Sequence, residues 1–343
     1  MRGHALCRYQ GMLLALVMSG GATVATGDSD EVNLRQPEPT LQYLGVAGFL
    51  VRWRGEAVMF DPFFSRPSFP ELLWLKPDTE LIAKHIPKAN DVTMLLVGHG
   101  HYDHLLDVST VVLNHAPNAT VYGSASVIHT LRAVPELTKL VNAEDNMVPV
   151  PNTDPPPNGK PSTRWFTSTG GRLRAMALQS MHAENFFTPL MAGGYPSALT
   201  SLPKTLFGWK EGQTLAWLVD LMDEENKPAY RIHFQDTASQ APYGFPPDLG
   251  DGKGVDVQIL PVASWDKVPP YPVGILNRNK PRLVVLAHWE GFVGGDAEAP
   301  TVQRFAGDQG DMLKAVRSVA PTAIVAKPLP FSDVAVPLVQ RLK

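Results

Sequence analysis

The 343 residues, 44% hydrophobic and 18% charged, have the balance of a globular protein, which excludes a disordered or fibrous chain. A formal charge of -3 supplies no polybasic field, so nucleic acid is not an expected partner. The 32 prolines are scattered and not gathered in one tract, which points to a loop-rich globule.

The first 25 residues contain Arg2 and Arg8, no acid, an apolar stretch over 11–18 and small residues up to Ala25. This is the pattern of a secretory signal peptide, with Thr23-Val24-Ala25 as a small-residue cleavage end and an apolar run too short to span a bilayer. Cys7 precedes the apolar stretch, whereas a lipoprotein cysteine follows it. Cleavage after Ala25 would deliver a periplasmic or secreted chain with 28 basic and 33 acidic residues, a balance of -5. That chain has no cysteine, which removes disulfides and thiolate ligands, and no stable membrane span. Residues 26–40 read as a linker and 41–343 as one domain.

Strand-like runs at 41–44, 49–53 and 57–60 form a meander ending at Asp61-Pro62. A helix is expected over 78–85, starting at Asp78 and stopped by Pro87. A short apolar strand over 92–97 follows, then helices at 106–114 and 124–134 around a strand at 119–122. Beyond the proline-rich loop after Pro149, strands are expected at 164–167, 172–178, 214–221, 230–234, 257–262 and 282–287. Strands with helices interspersed, and no shift in composition, favour one α/β domain with two sheets. No internal repeat is visible. The stretches 185–210 and 241–254, rich in proline and glycine, read as long loops of the kind that form site walls, lids or plain surface excursions.

The chemistry concentrates at residues 99–104, His-Gly-His-Tyr-Asp-His. His99, His101, Asp103 and His104 place three imidazoles and a carboxylate on a loop at a strand end, and these are donors for zinc and similar divalent ions. One loop does not complete two metal sites. His182, Asp236 and His288 each follow a strand's carboxyl end, where α/β proteins build their sites. His4, His85, His115, His129 and His233 read as structural or surface groups, with His233, three residues before Asp236, the one among them that could reach the periphery of the site. Glu184, Asn185, Trp289 and Glu290 are expected to line a pocket.

This order of residues, a strand ending in Asp61, the His-x-His-x-Asp-His loop, a later histidine, an aspartate and a final histidine, resembles the metallo-β-lactamase superfamily. The likeness covers 41–288. The segments Leu44-Gly45-Val46-Ala47-Gly48-Phe49 and Phe60-Asp61-Pro62-Phe63 look like the branch of ascorbate-6-phosphate lactonase-like proteins and N-acylphosphatidylethanolamine-type phospholipases D. Members of that branch often carry histidine where this chain has Val46. The resemblance implies a four-layer αββα sandwich of two mixed β-sheets flanked by helices, forming a hydrolase domain over 41–343. It implies that His99, His101 and His182 hold one divalent ion, that Asp103, His104 and His288 hold a second, and that Asp236 bridges them. Zinc is the expected ion; iron and manganese also suit the donors. A hydroxide between the ions would be the nucleophile, Asp103 would orient it, and Asp61 would support a ligand by a hydrogen bond.

With no cysteine, the chain points away from cysteine-ligated β-lactamases. It points toward cleavage of a phosphodiester, lactone or other ester in a small-molecule or lipid-like substrate. An iron-dependent redox enzyme on the same scaffold, a β-lactam hydrolase and a non-catalytic binding protein are the competing readings.

Overall fold

The computed structural model describes residues 38–86, 88–150, 164–184, 188–303 and 308–338. Contacts gather Pro37–Lys343 into one compact unit. The expected signal peptide and most of the expected linker lie outside the described residues, as do Pro87 and Asn185.

The first sheet begins as an antiparallel meander of β1 (Thr40–Gly45), β2 (Gly48–Trp53) and β3 (Glu56–Phe60). Helix α1 (Thr79–His85) then starts where Asp78 Oδ1 accepts the Leu81 N–H at 2.9 Å, an N-cap that the sequence signals. It leads to β4 (Val92–Leu96), which lies parallel to β3. A single helical turn, α2 (Tyr102–Leu105), and α3 (Val108–Asn114) precede β5 (Thr120–Gly123); α4 (Ala125–Leu131) precedes β6 (Leu140–Asn142). Strands β4, β5 and β6 continue the parallel half of the sheet. A strand flanked on both sides has no solvent face, which is why β4 reads as an apolar run interrupted only by Thr93.

The second sheet repeats this plan without repeating the sequence. Strands β7 (Trp165–Thr167), β8 (Leu173–Gln179), β9 (Leu215–Met222) and β10 (Pro228–Phe234) are antiparallel. After the short helix α5 (Thr188–Met191), which lies between β8 and β9, the later elements are β11 (Val257–Pro261), α6 (Val273–Asn279), β12 (Leu283–Ala287), α7 (Gln309–Val319) and β13 (Ile324–Ala326). Strands β10 to β13 run parallel. The last strand, β14 (Asp333–Val334), returns to pair with β1, giving two seven-stranded sheets.

The inner faces of the sheets meet in a shared core where Phe49, Phe60, Trp217 and Phe234 are fully buried. The aromatic rings of Phe60 and Phe234 lie 4.6 Å apart across it. Helices α1 to α4 cover the outside of the first sheet through Ile82, Leu105, Val111 and Ile128. Helices α6 and α7 cover the parallel half of the second through Ile275, Leu276, Met312 and Val316. The result is the expected αββα sandwich of two mixed sheets. Among the described residues no helix is long and apolar enough to cross a membrane.

Two loops left open by the sequence take different places. Residues 188–210 run beside α4 and the segment between β3 and α1, with Leu199 N–H bonded to His129 O and Leu75 N–H to Lys204 O. Residues 241–254 pack on the outer face of the second sheet, where Leu249 joins Met176, Leu178 and Leu218.

Candidate metal centre

Five strand ends converge on one edge. Asp61 follows β3, the histidine loop follows β4, His182 follows β8, Asp236 follows β10 and His288 follows β12. The register of the parallel strands brings these ends to one level. Cross-links then pin the sheets together there: Leu215 N–H bonds to Gly98 O at 2.8 Å, and Trp217 Nε1–H to Val97 O at 3.2 Å.

All seven residues expected as ligands come together, in three groups whose donor atoms lie within 4.8 Å of one another. His99, His101 and His182 form one, Asp103, His104 and His288 another, and Asp236 joins His99 and His104 in the third. His99 Nδ1 is 2.5 Å from Asp236 Oδ2, and His288 Nε2 is 3.3 Å from Asp103 Oδ2. The approach is close enough to dictate the glycines of the loop. A Cβ on Gly98 would stand 2.0 Å from Asp236 Oδ2, and one on Gly100 would stand 2.2 Å from Lys210 O.

Hydrogen bonds fix which ring nitrogen His104 and His182 present. His104 Nδ1 lies 3.0 Å from Asp61 Oδ2, while Asp61 Oδ1 accepts the Gly98 N–H at 2.8 Å, so one fully buried carboxylate holds both the loop and the ring. His182 Nδ1 donates to Ala183 O at 2.7 Å. In both residues the Nε2 atom is left for another partner, the arrangement typical of metal-binding histidines.

Burial lowers the pKa of His99, His101 and His182, which keeps these imidazoles neutral and available as donors. Burial also works against a charged His104, but the carboxylates of Asp103, Asp61 and Asp236 outweigh it and raise its pKa to about 9. Burial raises Asp61. At Asp103 the raising effect of burial is overcome by His104 and His288, which hold the carboxyl well below the usual carboxylate range. The buried His101 Nε2 and His288 Nδ1 have no hydrogen-bond partner. Orphaned ring nitrogens among clustered carboxylates fit one or more divalent cations.

Four residues considered for the pocket or its periphery lie elsewhere or point away. His233 faces away from the cluster, with Nε2–H donating to Gly244 O at 2.7 Å and Nδ1 accepting from Gln258 Nε2 at 2.7 Å. Strand alternation explains this, since the side chains of Ile232 and Phe234 enter the inner core and that of His233 must point outward. Trp289 is buried and donates to Pro328 O. Glu290 is completely buried, bonded to Tyr43 Oη and to the Val46 N–H. Glu184 is exposed.

Two supports escaped sequence reading. Asp107 accepts hydrogen bonds from the Phe64 and Ser65 amides and from Ser65 Oγ, anchoring the loop that follows Asp61 to the start of α3. Its spacing of four from Asp103 was the available signal, because it places both carboxyls along the same helical path. Glu211 was not singled out either: its carbonyl accepts the Gly100 N–H, and burial raises its carboxyl pKa.

A profile of the Beta-lactamase superfamily domain matches residues 56–323, well over half the chain. Among solved structures, Igni18, a metallo hydrolase from the archaeon Ignicoccus hospitalis, is 15% identical with a TM-score of 0.51. That match covers 87% of this chain and 98% of the other. A protein described as a possible metal-dependent hydrolase, from Veillonella parvula, is 10% identical over 87% and 99% of the two chains, with a TM-score of 0.49. CmlA, a diiron β-hydroxylase from Streptomyces venezuelae, is 14% identical, with a TM-score of 0.49 over 87% of this chain and 54% of its own. No curated protein matches the chain in sequence.

Proposed function

Since this chain belongs to the Beta-lactamase superfamily, we propose that it is an exported, metal-dependent hydrolase of a phosphodiester, lactone or other ester, with zinc at two adjoining positions. The observation that carries the reading is the sharing of donors. His99 belongs to a group with His101 and His182, His104 to a group with Asp103 and His288, and Asp236 meets both His99 and His104. That is the arrangement expected of two cation positions joined by one carboxylate. When bound, two such ions would supply a nucleophilic hydroxide at neutral pH and polarise the substrate oxygen.

The chain's own residues prepare the site. His99, His101 and His182 would hold the first ion, and Asp103, His104 and His288 the second, with Asp236 between them. Asp61 fixes the His104 ring so that Nε2 faces inward. Asp103, kept ionised by His104 and His288, is the carboxylate placed to orient the attacking water. Export rests on the signal-like residues 1–25, and the absence of cysteine beyond Cys7 disfavours a cysteine-ligated β-lactamase.

The test is a panel of phosphodiesters, homoserine lactones, aryl esters and a β-lactam, run on zinc-loaded protein beside metal analysis of protein purified without added metal. Turnover of an ester class, with the β-lactam untouched, is expected. Iron as the resident metal together with oxygen consumption would overturn the hydrolase reading.

A further inference from the structure

His288 carries a backbone strain that its neighbours must hold. Its φ of +52° lies in the left-handed region, which residues other than glycine enter only when the surroundings impose it. Its N–H donates to Val46 O at 2.6 Å and lies 3.3 Å from Tyr43 Oη. Val46 is itself left-handed at +54°, directly after Gly45 at +100°. The anchor for His288 is therefore a turn that also needs holding.

One buried carboxylate does this. Glu290 Oε1 accepts the Val46 N–H at 2.6 Å, and Glu290 Oε2 accepts the Tyr43 hydroxyl at 2.6 Å. The same hydroxyl lies 3.0 Å from Val46 O. Both groups that receive the His288 N–H are thus tied to Glu290, two residues further along the chain. Arg66 Nη2, 3.8 Å from Glu290 Oε1, supplies the neighbouring positive charge. A Cβ at position 45 would stand 2.6 Å from that nitrogen, so Gly45 leaves room for the guanidinium as well as for the turn. An isolated buried carboxylate is costly, and a plain hydrophobic contact between β1 and the segment after β12 would need none of these groups.

We infer that Tyr43 and Glu290 are positioning residues for His288, clamping the Gly45-Val46 turn so that the His288 ring meets Asp103. The inference rests on the two-metal reading for its consequence, which is that the clamp completes the position of Asp103, His104 and His288 and leaves that of His99, His101 and His182 alone. The profile match begins at residue 56 and assigns nothing to Tyr43.

The experiment is a zinc titration of the metal-depleted full chain, comparing wild type with Tyr43→Phe, Glu290→Gln, His288→Ala and the double variant Tyr43→Phe/His288→Ala. Wild type takes up two zinc ions and His288→Ala one. Tyr43→Phe weakens the second zinc by about 10- to 100-fold, the range for an outer support of a metal ligand, and leaves the first unchanged. Glu290→Gln, which keeps an acceptor for the Val46 amide, shows a smaller loss. The double variant binds zinc as His288→Ala does. Wild-type binding of both ions by Tyr43→Phe overturns the clamp, as does equal weakening of both ions or a further loss in the double variant. A wild type that binds one zinc overturns the two-metal reading instead. The clamp is then judged by the His288 imidazole resonances in metal-free protein, which shift in Tyr43→Phe if it holds and stay in place if it does not.

Discussion

Two buried polar clusters border the second sheet, one on its outer face and one at the strand ends it shares with the first sheet, and they are built on opposite rules. On that outer face Arg231 bonds Asp220 through Nε and Nη2 at 2.6 and 2.9 Å, and Asp251 through Nη1 and Nη2 at 3.1 and 2.7 Å. Arg174 closes on the same Asp220. Burial works against the Arg231 charge, yet the two aspartates overcome it and raise its pKa. Nearby, His233 links Gly244 O to Gln258, whose Oε1 accepts from Asn279 Nδ2 at 2.7 Å. Each of these side-chain donors and acceptors has a partner. At the strand ends, by contrast, five histidines and two aspartates crowd together while His101 Nε2 and His288 Nδ1 stay without partners. A buried polar cluster that closes on itself stabilises the fold. One that leaves aligned donors unpaired is arranged for something from outside.

The contrast predicts opposite outcomes for mutation. His101→Ala is expected to reduce hydrolysis to background, because it removes a donor that only a metal satisfies, while the metal-free protein melts within a few degrees of wild type. Full activity in this variant would break the site assignment; collapse of the metal-free fold would make His101 a structural residue. Arg231→Ala should do the reverse. Removing one partner of a buried ion pair strands the others, at a cost of about 3–5 kcal/mol, so urea unfolding should show that loss. Zinc stoichiometry of the protein that remains folded should stay the same. A drop in zinc binding at unchanged stability would erase the distinction between the two clusters.

Sequence made the site more legible than the frame that supports it. The seven donors stand at strand ends that apolar runs announce, and strand polarity then places them on one edge. The elements that escaped are those with little to bury. Leu140, Val141 and Asn142 of β6 are all half-exposed, Ile324 of β13 is 56% exposed, and β14 has two residues. Helix α6 follows Pro269, Pro270 and Pro272, which mask its start, and α7 buries only Met312 and Val316. The single turn α2 inside the histidine loop carries no periodicity at all. The Tyr43–Glu290 clamp was invisible for another reason, since its partners are ordinary residues 247 positions apart. Only the sheet topology brings them together.

The smallest expected effect concerns pH and offers the sharpest separation. Burial lowers the His233 pKa from its ordinary 6.5 to about 4, so the folded state favours the neutral ring. The unfolded chain then binds more protons between these values. The stabilisation is complete above pH 6.5 and is lost as pH falls toward 4, amounting to at most about 3 kcal/mol for a shift of this size. In His233→Gln this part of the slope of unfolding free energy against pH should disappear, whatever the variant's absolute stability. His99, His101 and His182 are shifted in the same direction, and their share should change when zinc is added, because a ligated imidazole no longer takes a proton. The difference between wild type and His233→Gln should therefore be the same with and without zinc. A zinc-dependent difference would mean that the self-closed cluster senses the metal centre through Asp236, three residues away on the same strand end, and the two could no longer be treated as separate.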